Sequence, residues 1–278
     1  MSNTKLALVN PPSLTQLNKI PTDLRRIQDS IQDPPPGALR LKTGAFAITV
    51  HPENPLPWFN DAVPEGEPTD ADVLEMVEVF RRYNRRPRLE FLRELWPTVP
   101  ALLEKHGFRL KDTQPALVTT EPPTIQPPTG IQVRLATAED AKAIDEIGNI
   151  AFEGDGPDPM REAAIRDSLA TGRSTAAIAY IDPSPAEATG RVATHDGMLA
   201  LGCGRMVGSP AVKEVVSIGT LPAFRRRGVA GAIVAELLKE FFAGKGELAW
   251  LTATPEADSV YRRLGFVPVA NQVCYLLD

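Results

Sequence analysis

Thr220-Leu221-Pro222-Ala223-Phe224-Arg225-Arg226-Arg227-Gly228-Val229-Ala230-Gly231 is the stretch that organises the rest of the chain. Before it, Glu214–Leu221 reads as a strand. After it, Gly228–Phe242 reads as a helix, with Val229, Ile233, Leu237, Leu238 and Phe241 along one face. A strand–turn–helix of this kind suits a phosphate. The first N–H groups of a helix have no acceptor within it, and the helix dipole adds partial positive charge there. Gly228 lets backbone come close to a ligand, and Ala230 and Gly231 keep the first turn clear. Arg225, Arg226 and Arg227 add positive charge that solvent screens. Taken alone, the same residues also describe a solvated basic turn.

Working outward, Ile131–Leu135 reads as a strand and a helix begins at Thr137 or Ala138, with Ile144, Ile147 and Ile150 at helical spacing. Residues 159–171 read as a second helix, and Thr175–Ile181 and Met198–Val207 as strands. After the long helix come a strand at Leu248–Ala253, a short helix at Glu256–Leu264 and strand from Phe266 onward. The order βαα-βββ-αβαβ predicts a mixed α/β sheet with parallel neighbours near its end.

Upstream, Pro122, Pro123, Pro127 and Pro128 stiffen residues 120–130 into a linker. Residues 38–119 then form a domain of their own, after a partly irregular leader of residues 1–37 that contains Pro34-Pro35-Pro36. In it Ala45–Val50, Arg88–Leu92 and Leu117–Thr119 read as strands. Asp70–Tyr83, with Thr69 as its cap, and Thr98–His106 read as helices. Leu103-Glu104-Lys105-His106-Gly107-Phe108 echoes Tyr261-Arg262-Arg263-Leu264-Gly265-Phe266: each closes a short helix on Gly-Phe.

Composition is that of a globular protein, with 43% hydrophobic and 23% charged residues among 278. A net charge of −5 gives no general attraction to nucleic acid or an anionic membrane, and the basic run Arg81–Arg86 is too small a face for the former. Cys203 and Cys274 form no CxxC, and His51, His106 and His195 are scattered, so no metal site is expected. No long apolar run and no secretory leader stand out, and a cytoplasmic location is the expectation.

The run IGTLPAFRRRGVAGAIVAELL, followed about thirty residues on by YRRLGF, resembles the GNAT superfamily of acyl-CoA-dependent N-acyltransferases. The pattern is [RQ]-x-x-G-x-[GA] after a strand, then strand, short helix and Y-x-x-x-G-F. The resemblance covers roughly residues 131–278 and implies a catalytic GNAT domain there. The first half matches only in outline: it lacks the phosphate turn and has Leu103 where the second has Tyr261. It is similar to a degenerate GNAT-like domain. The implied whole is two GNAT-like halves, with the chain a monomer because the halves mimic a dimer.

The resemblance implies acetyl-CoA as co-substrate, held by residues 225–231, and a primary amine, in a small molecule or peptide, that attacks the thioester directly. Tyr261 stands where the family often places the acid that protonates the leaving thiolate. A phenol near pKa ~10 facing a thiol near ~8.5 is a modest but workable donor. Glu214, eleven residues before Arg225, occupies the offset of the catalytic base in histone-type members. Water is the alternative base. Ile218, Gly219 and Thr220 correspond to the backbone that holds the acetyl carbonyl and the pantetheine arm. The loop Phe152–Asp158 offers Glu153, Asp155 and Asp158 to a cationic amine, and is equally an ordinary solvated turn. A non-catalytic acyl-CoA sensor and an enzyme using a longer acyl donor are the competing expectations.

Overall fold

A computed structural model describes residues 20–31, 37–154, 156–182 and 192–278. Most of the leader, Pro34-Pro35-Pro36 and Asp155 lie outside the described residues. The elements in chain order are α1 (Ile20–Ser30), β1 (Leu39–Thr43), β2 (Phe46–Val50), β3 (Asp61–Pro64), α2 (Asp70–Arg82), β4 (Arg88–Leu92), α3 (Val99–Lys105) and β5 (Arg109–Thr119). Then follow β6 (Gln132–Leu135), α4 (Ala141–Ala151), α5 (Pro159–Ala170), β7 (Ser174–Ile181), β8 (Leu199–Gly208) and β9 (Val212–Thr220). The chain closes with α6 (Val229–Ala243), β10 (Leu248–Thr252), α7 (Pro255–Arg263) and β11 (Val267–Leu276). The fold is the mixed α/β type that the order of elements predicts. No helix among the described residues is long and apolar enough to cross a membrane.

The chain divides into two compact units. One runs to Leu117 and takes back Thr252–Thr254 and Pro268–Asp278. The other holds Val118–Leu251 and Pro255–Val267. This differs from a second domain over 131–278: residues 120–130 group with the C-terminal unit, and the last strand belongs to the N-terminal one. The reason is burial. Val273 and Tyr275 of β11 sit in the N-terminal core beside Phe46, Ile48, Phe80, Leu89 and Phe91. β11 runs antiparallel to β4, from Gln272 opposite Leu92 to Leu276 opposite Arg88.

The N-terminal sheet has the order β1-β2-β3-β4-β11-β5. Its helix α2 starts on a capping box. Thr69 accepts from the Asp72 N–H at 3.3 Å, and Asp72 accepts from the Thr69 N–H at 2.7 Å. The leader contains a helix the sequence reading missed: α1 buries Leu24 and Ile27, and Gln28 Oε1 accepts the Leu92 N–H at 2.8 Å. Both helix ends that echo each other in sequence close alike. Gly107 (φ 85) and Gly265 (φ 90) are left-handed, and the N–H of Phe108 and of Phe266 returns to the carbonyl of Leu103 and of Tyr261, each at 3.1 Å.

The C-terminal sheet is β6-β7-β8-β9-β10, with β6 to β9 antiparallel and β10 parallel to β9. Helix α6 lays Val229, Ile233, Val234, Leu237 and Leu238 into the core. Removing about 1.5–3 kcal/mol of apolar side chain from water at each such position is ample to hold its N-terminus in place.

Candidate active site

The turn between β9 and α6 is anchored at both ends. The Leu221 N–H bonds Leu201 O at 2.9 Å, and Pro222–Phe224 make one 3₁₀ turn that buries Phe224. The chain then reverses through Arg226 (φ 60) and Gly228 (φ 81), both left-handed. The first bond inside α6 is Ala232 N–H to Gly228 O at 3.0 Å, which leaves the N–H groups of Val229, Ala230 and Gly231 as the helix's unbonded donors. A Cβ at position 228 would stand 2.8 Å from Pro128 Cγ, and one at 231 would stand 3.8 Å from Ile125 Cδ1. The proline segment therefore lies along this turn. Arg225 spends its guanidinium on backbone: Nε bonds Thr220 O at 3.3 Å and Nη2 bonds Ala151 O, at the end of α4, at 3.1 Å. Arg227 stacks over the Phe224 ring at 5.5 Å. These two arginines shape the turn, and the unbonded donors at it are main-chain.

Upstream, two strands part. β9 and β10 pair at Val212/Leu248, Lys213/Ala249 and Glu214/Trp250, and both continue without further pairing. On the other side β9 carries a bulge. Cys203 faces Gly219 and Arg205 faces Val216, so Ser217 and Ile218 oppose Gly204 alone. Ser217 is left-handed at φ 56, and no sequence signal marks it. Glycine at 204 leaves space filled by the Ile218 side chain, and a side chain at 219 would press on Ala151 Cβ at 3.1 Å. Ile218, Gly219 and Thr220 thus end β9 along an edge that β10 leaves open. Thr220 Oγ1 is buried there without a hydrogen-bond partner among the described residues. Open edge, orphan hydroxyl and, among the described residues, unbonded helix donors follow one another along residues 218–231 as one strip.

Tyr261 is 9% exposed on α7, its ring edge-on to Phe266 at 6.0 Å. Burial pushes its phenol up, so it is protonated at neutral pH. No hydrogen bond to its hydroxyl occurs among the described residues. Leu264, just past the end of α7, lies against the first turn of α6, 4.0 Å from a Cβ at 231. Glu214 is half-buried at the last paired position, where β9 and β10 separate.

Residues 187–268, which hold this strip and Tyr261, match the family model of the acetyltransferase (GNAT) domain. Over these residues the chain carries a GNAT domain. The fold of nearly the whole chain is similar to that of a GCN5-related N-acetyltransferase from Kribbella flavida, at 22% identity over 91% of this chain and 95% of that one, TM-score 0.70. It is also similar to a tandem GNAT protein from the clavulanic acid biosynthesis pathway, at 13% identity over 96% of each chain, TM-score 0.59. A GCN5-related N-acetyltransferase from Sphaerobacter thermophilus matches at 15% identity over 93% of this chain and 92% of that one, TM-score 0.59. No curated protein matches the sequence.

Beside the 3₁₀ turn, the C-terminal unit holds a cavity of about 620 Å³ lined by Glu146, Asn149 and Ile150 of α4, Pro157, Val192 and Leu221–Phe224. Of the acidic loop next to it, Asp158 caps α5 by accepting the Met160 N–H at 2.9 Å, and Glu153 takes a left-handed turn position at φ 55. Phe152 and Met160 are exposed around it. No group of His, Cys, Asp and Glu among the described residues could hold a metal ion. Cys203 is buried, its thiol pushed up to about 12 by burial. In the N-terminal unit the junction from β3 to α2 is Glu65-Gly66-Glu67-Pro68-Thr69, and its capping box takes the Asp72 N–H.

Proposed function

We propose that this chain is an N-acetyltransferase that moves an acetyl group from acetyl-CoA to a primary amine by direct attack within a ternary complex. The observation that carries the reading is the continuous strip from the β9 edge to the first turn of α6, ending beside the helix of Tyr261. The pyrophosphate would take the N–H groups of Val229, Ala230 and Gly231, where charge-assisted bonds to main-chain donors are strong. Backbone at Ile218–Thr220 would take the pantetheine arm, with the acetyl carbonyl at the bulge. The amine nitrogen attacks the carbonyl carbon and the C–S bond breaks. The leaving sulfur takes a proton from Tyr261, and the ammonium proton passes to Glu214, directly or through water. Moving a proton from a phenol above pKa ~10 to a thiolate near ~8.5 is uphill by about 2 kcal/mol, small against the barrier it relieves.

In this reading the N-terminal unit binds no CoA. Its junction presents Glu65 and Glu67 where a phosphate would need donors. The test is acetyl-CoA consumption over a panel of amines. Tyr261→Phe should lower kcat about 10²-fold and leave the KM for acetyl-CoA within a few-fold. Full turnover in that variant would remove Tyr261 from the reaction. No turnover with any amine, despite tight acetyl-CoA binding, would instead point to a sensor.

A further inference from the structure

The N-terminal sheet carries charge on the face turned away from its core. Leu89 and Phe91 of β4 lie in that core, so Arg88 and Glu90 point to the opposite face. β11 alternates in the same way: Val273 and Tyr275 are core, while Cys274 and Leu276 stand opposite Glu90 and Arg88 on the charged face. These four residues line a cavity of about 380 Å³, with Lys111 and Asp112 also at its wall.

Part of the polar capacity of this cavity is already used: Asp112 accepts from the Thr113 N–H at 2.8 Å and from Gln114 Nε2 at 2.7 Å. The Arg88 side chain is only 15% exposed. Its Nη2 donates to Glu90 Oε2 at 2.6 Å, while Nη1 stands 4.0 Å from Asp61 Oδ2, beyond hydrogen-bond range. A guanidinium has five donors; this one bonds Glu90 and also reaches the Cys274 thiol, which leaves donors over. Glu90 uses Oε2 and has Oε1 to spare. Burial pushes the Asp61 carboxyl up to about 7, so near neutral pH it is only partly ionised beside Arg88. A half-used cation and a half-used anion thus sit side by side in a recess.

We propose that this cavity binds a small zwitterion of the α-amino-acid class, its carboxylate on Arg88 and its ammonium on Glu90. The planar fork of arginine suits a carboxylate, and Lys111 and Asp112 repeat the same two charges farther along the wall. Leu276 and the Cys274 thiol give the ligand's side chain an apolar surface. At roughly 30 Å³ per water-sized unit, the space suits a molecule of about ten non-hydrogen atoms.

Isothermal titration of the full chain, with no acyl-CoA present, tests this. The probes are the common L-amino acids, each beside the amine lacking its carboxylate and the acid lacking its ammonium. The expected result is saturable 1:1 binding of at least one amino acid, with both truncated analogues weaker by about tenfold or more. Arg88→Gln should weaken it by a similar factor. Leu276→Trp fills the cavity but keeps the ion pair, and should abolish binding; it decides the matter if Arg88→Gln does not fold. No saturable binding at millimolar concentration, equal binding of the truncated analogues, or binding unchanged in Leu276→Trp would each overturn the proposal. None of these outcomes depends on the acetyltransferase reading.

Discussion

Arg225 opens the phosphate motif in sequence, yet its guanidinium ties the end of α4 to the end of β9. Arg225→Ala should therefore cost roughly 1 kcal/mol of stability in denaturant unfolding and change the KM for acetyl-CoA only a few-fold. Asp140 sets a second residue-scale expectation. It is fully buried, bonded by Arg134 at 2.7 Å and 3.0 Å and by His195 at 2.8 Å. Burial alone would raise its carboxyl, but Arg134, His195 and the Thr137 N–H outweigh that and hold it well below the usual range. A depressed acid contributes stability above its unfolded pKa, near 3.8, that is lost as pH falls below it. Asp61 has the opposite sign. Burial raises its carboxyl from 3.8 to about 7, so its contribution is greatest below 3.8 and declines as pH rises toward 7. Chemical denaturation across pH should show that decline, and Asp61→Asn should remove it and raise stability at pH 8. An unchanged pH profile in Asp61→Asn would contradict the assignment.

At the scale of elements, what the sequence conveyed depended on whether one face was buried. β4, α2 and α6 were legible within a residue or two because alternation or helical spacing marks their core faces. β5 was read only at Leu117–Thr119, because Arg109-Leu110-Lys111-Asp112-Thr113 is exposed on both faces and carries no alternation. β3, held between Asp61 and Pro64, is too short to show a period, and α1 lay inside a stretch whose neighbours read as leader. In the candidate site, the glycine turn at 228, the short helix of Tyr261 and the order of elements were readable. The bulge at Ser217 and the backbone duty of Arg225 were not, since both arise from contacts distant in sequence. The placement of β11 has a direct consequence. A fragment of residues 131–278 would expose Val273 and Tyr275 and lose the partner of β11. It should aggregate or melt well below the full chain, and co-expression with residues 20–119 should restore solubility. A fragment as stable as the whole, judged by thermal melting, would contradict the strand assignment.

For the whole molecule, the proposed reaction needs one acyl-CoA site in a chain with two units. The two strand–helix junctions differ in charge and capping: in the C-terminal one Val229, Ala230 and Gly231 N–H are unbonded among the described residues, and in the N-terminal one Thr69 takes the Asp72 N–H, with Glu65 and Glu67 beside it. Glutamate at position 228 would meet a left-handed backbone, the Pro128 ring and the charge of the pyrophosphate together. The most direct measurement is calorimetric titration of the full chain with acetyl-CoA, alongside Gly228→Glu with its fold checked by circular dichroism. One site per chain is expected, lost in Gly228→Glu. Two sites, or one site that survives that substitution, would contradict it.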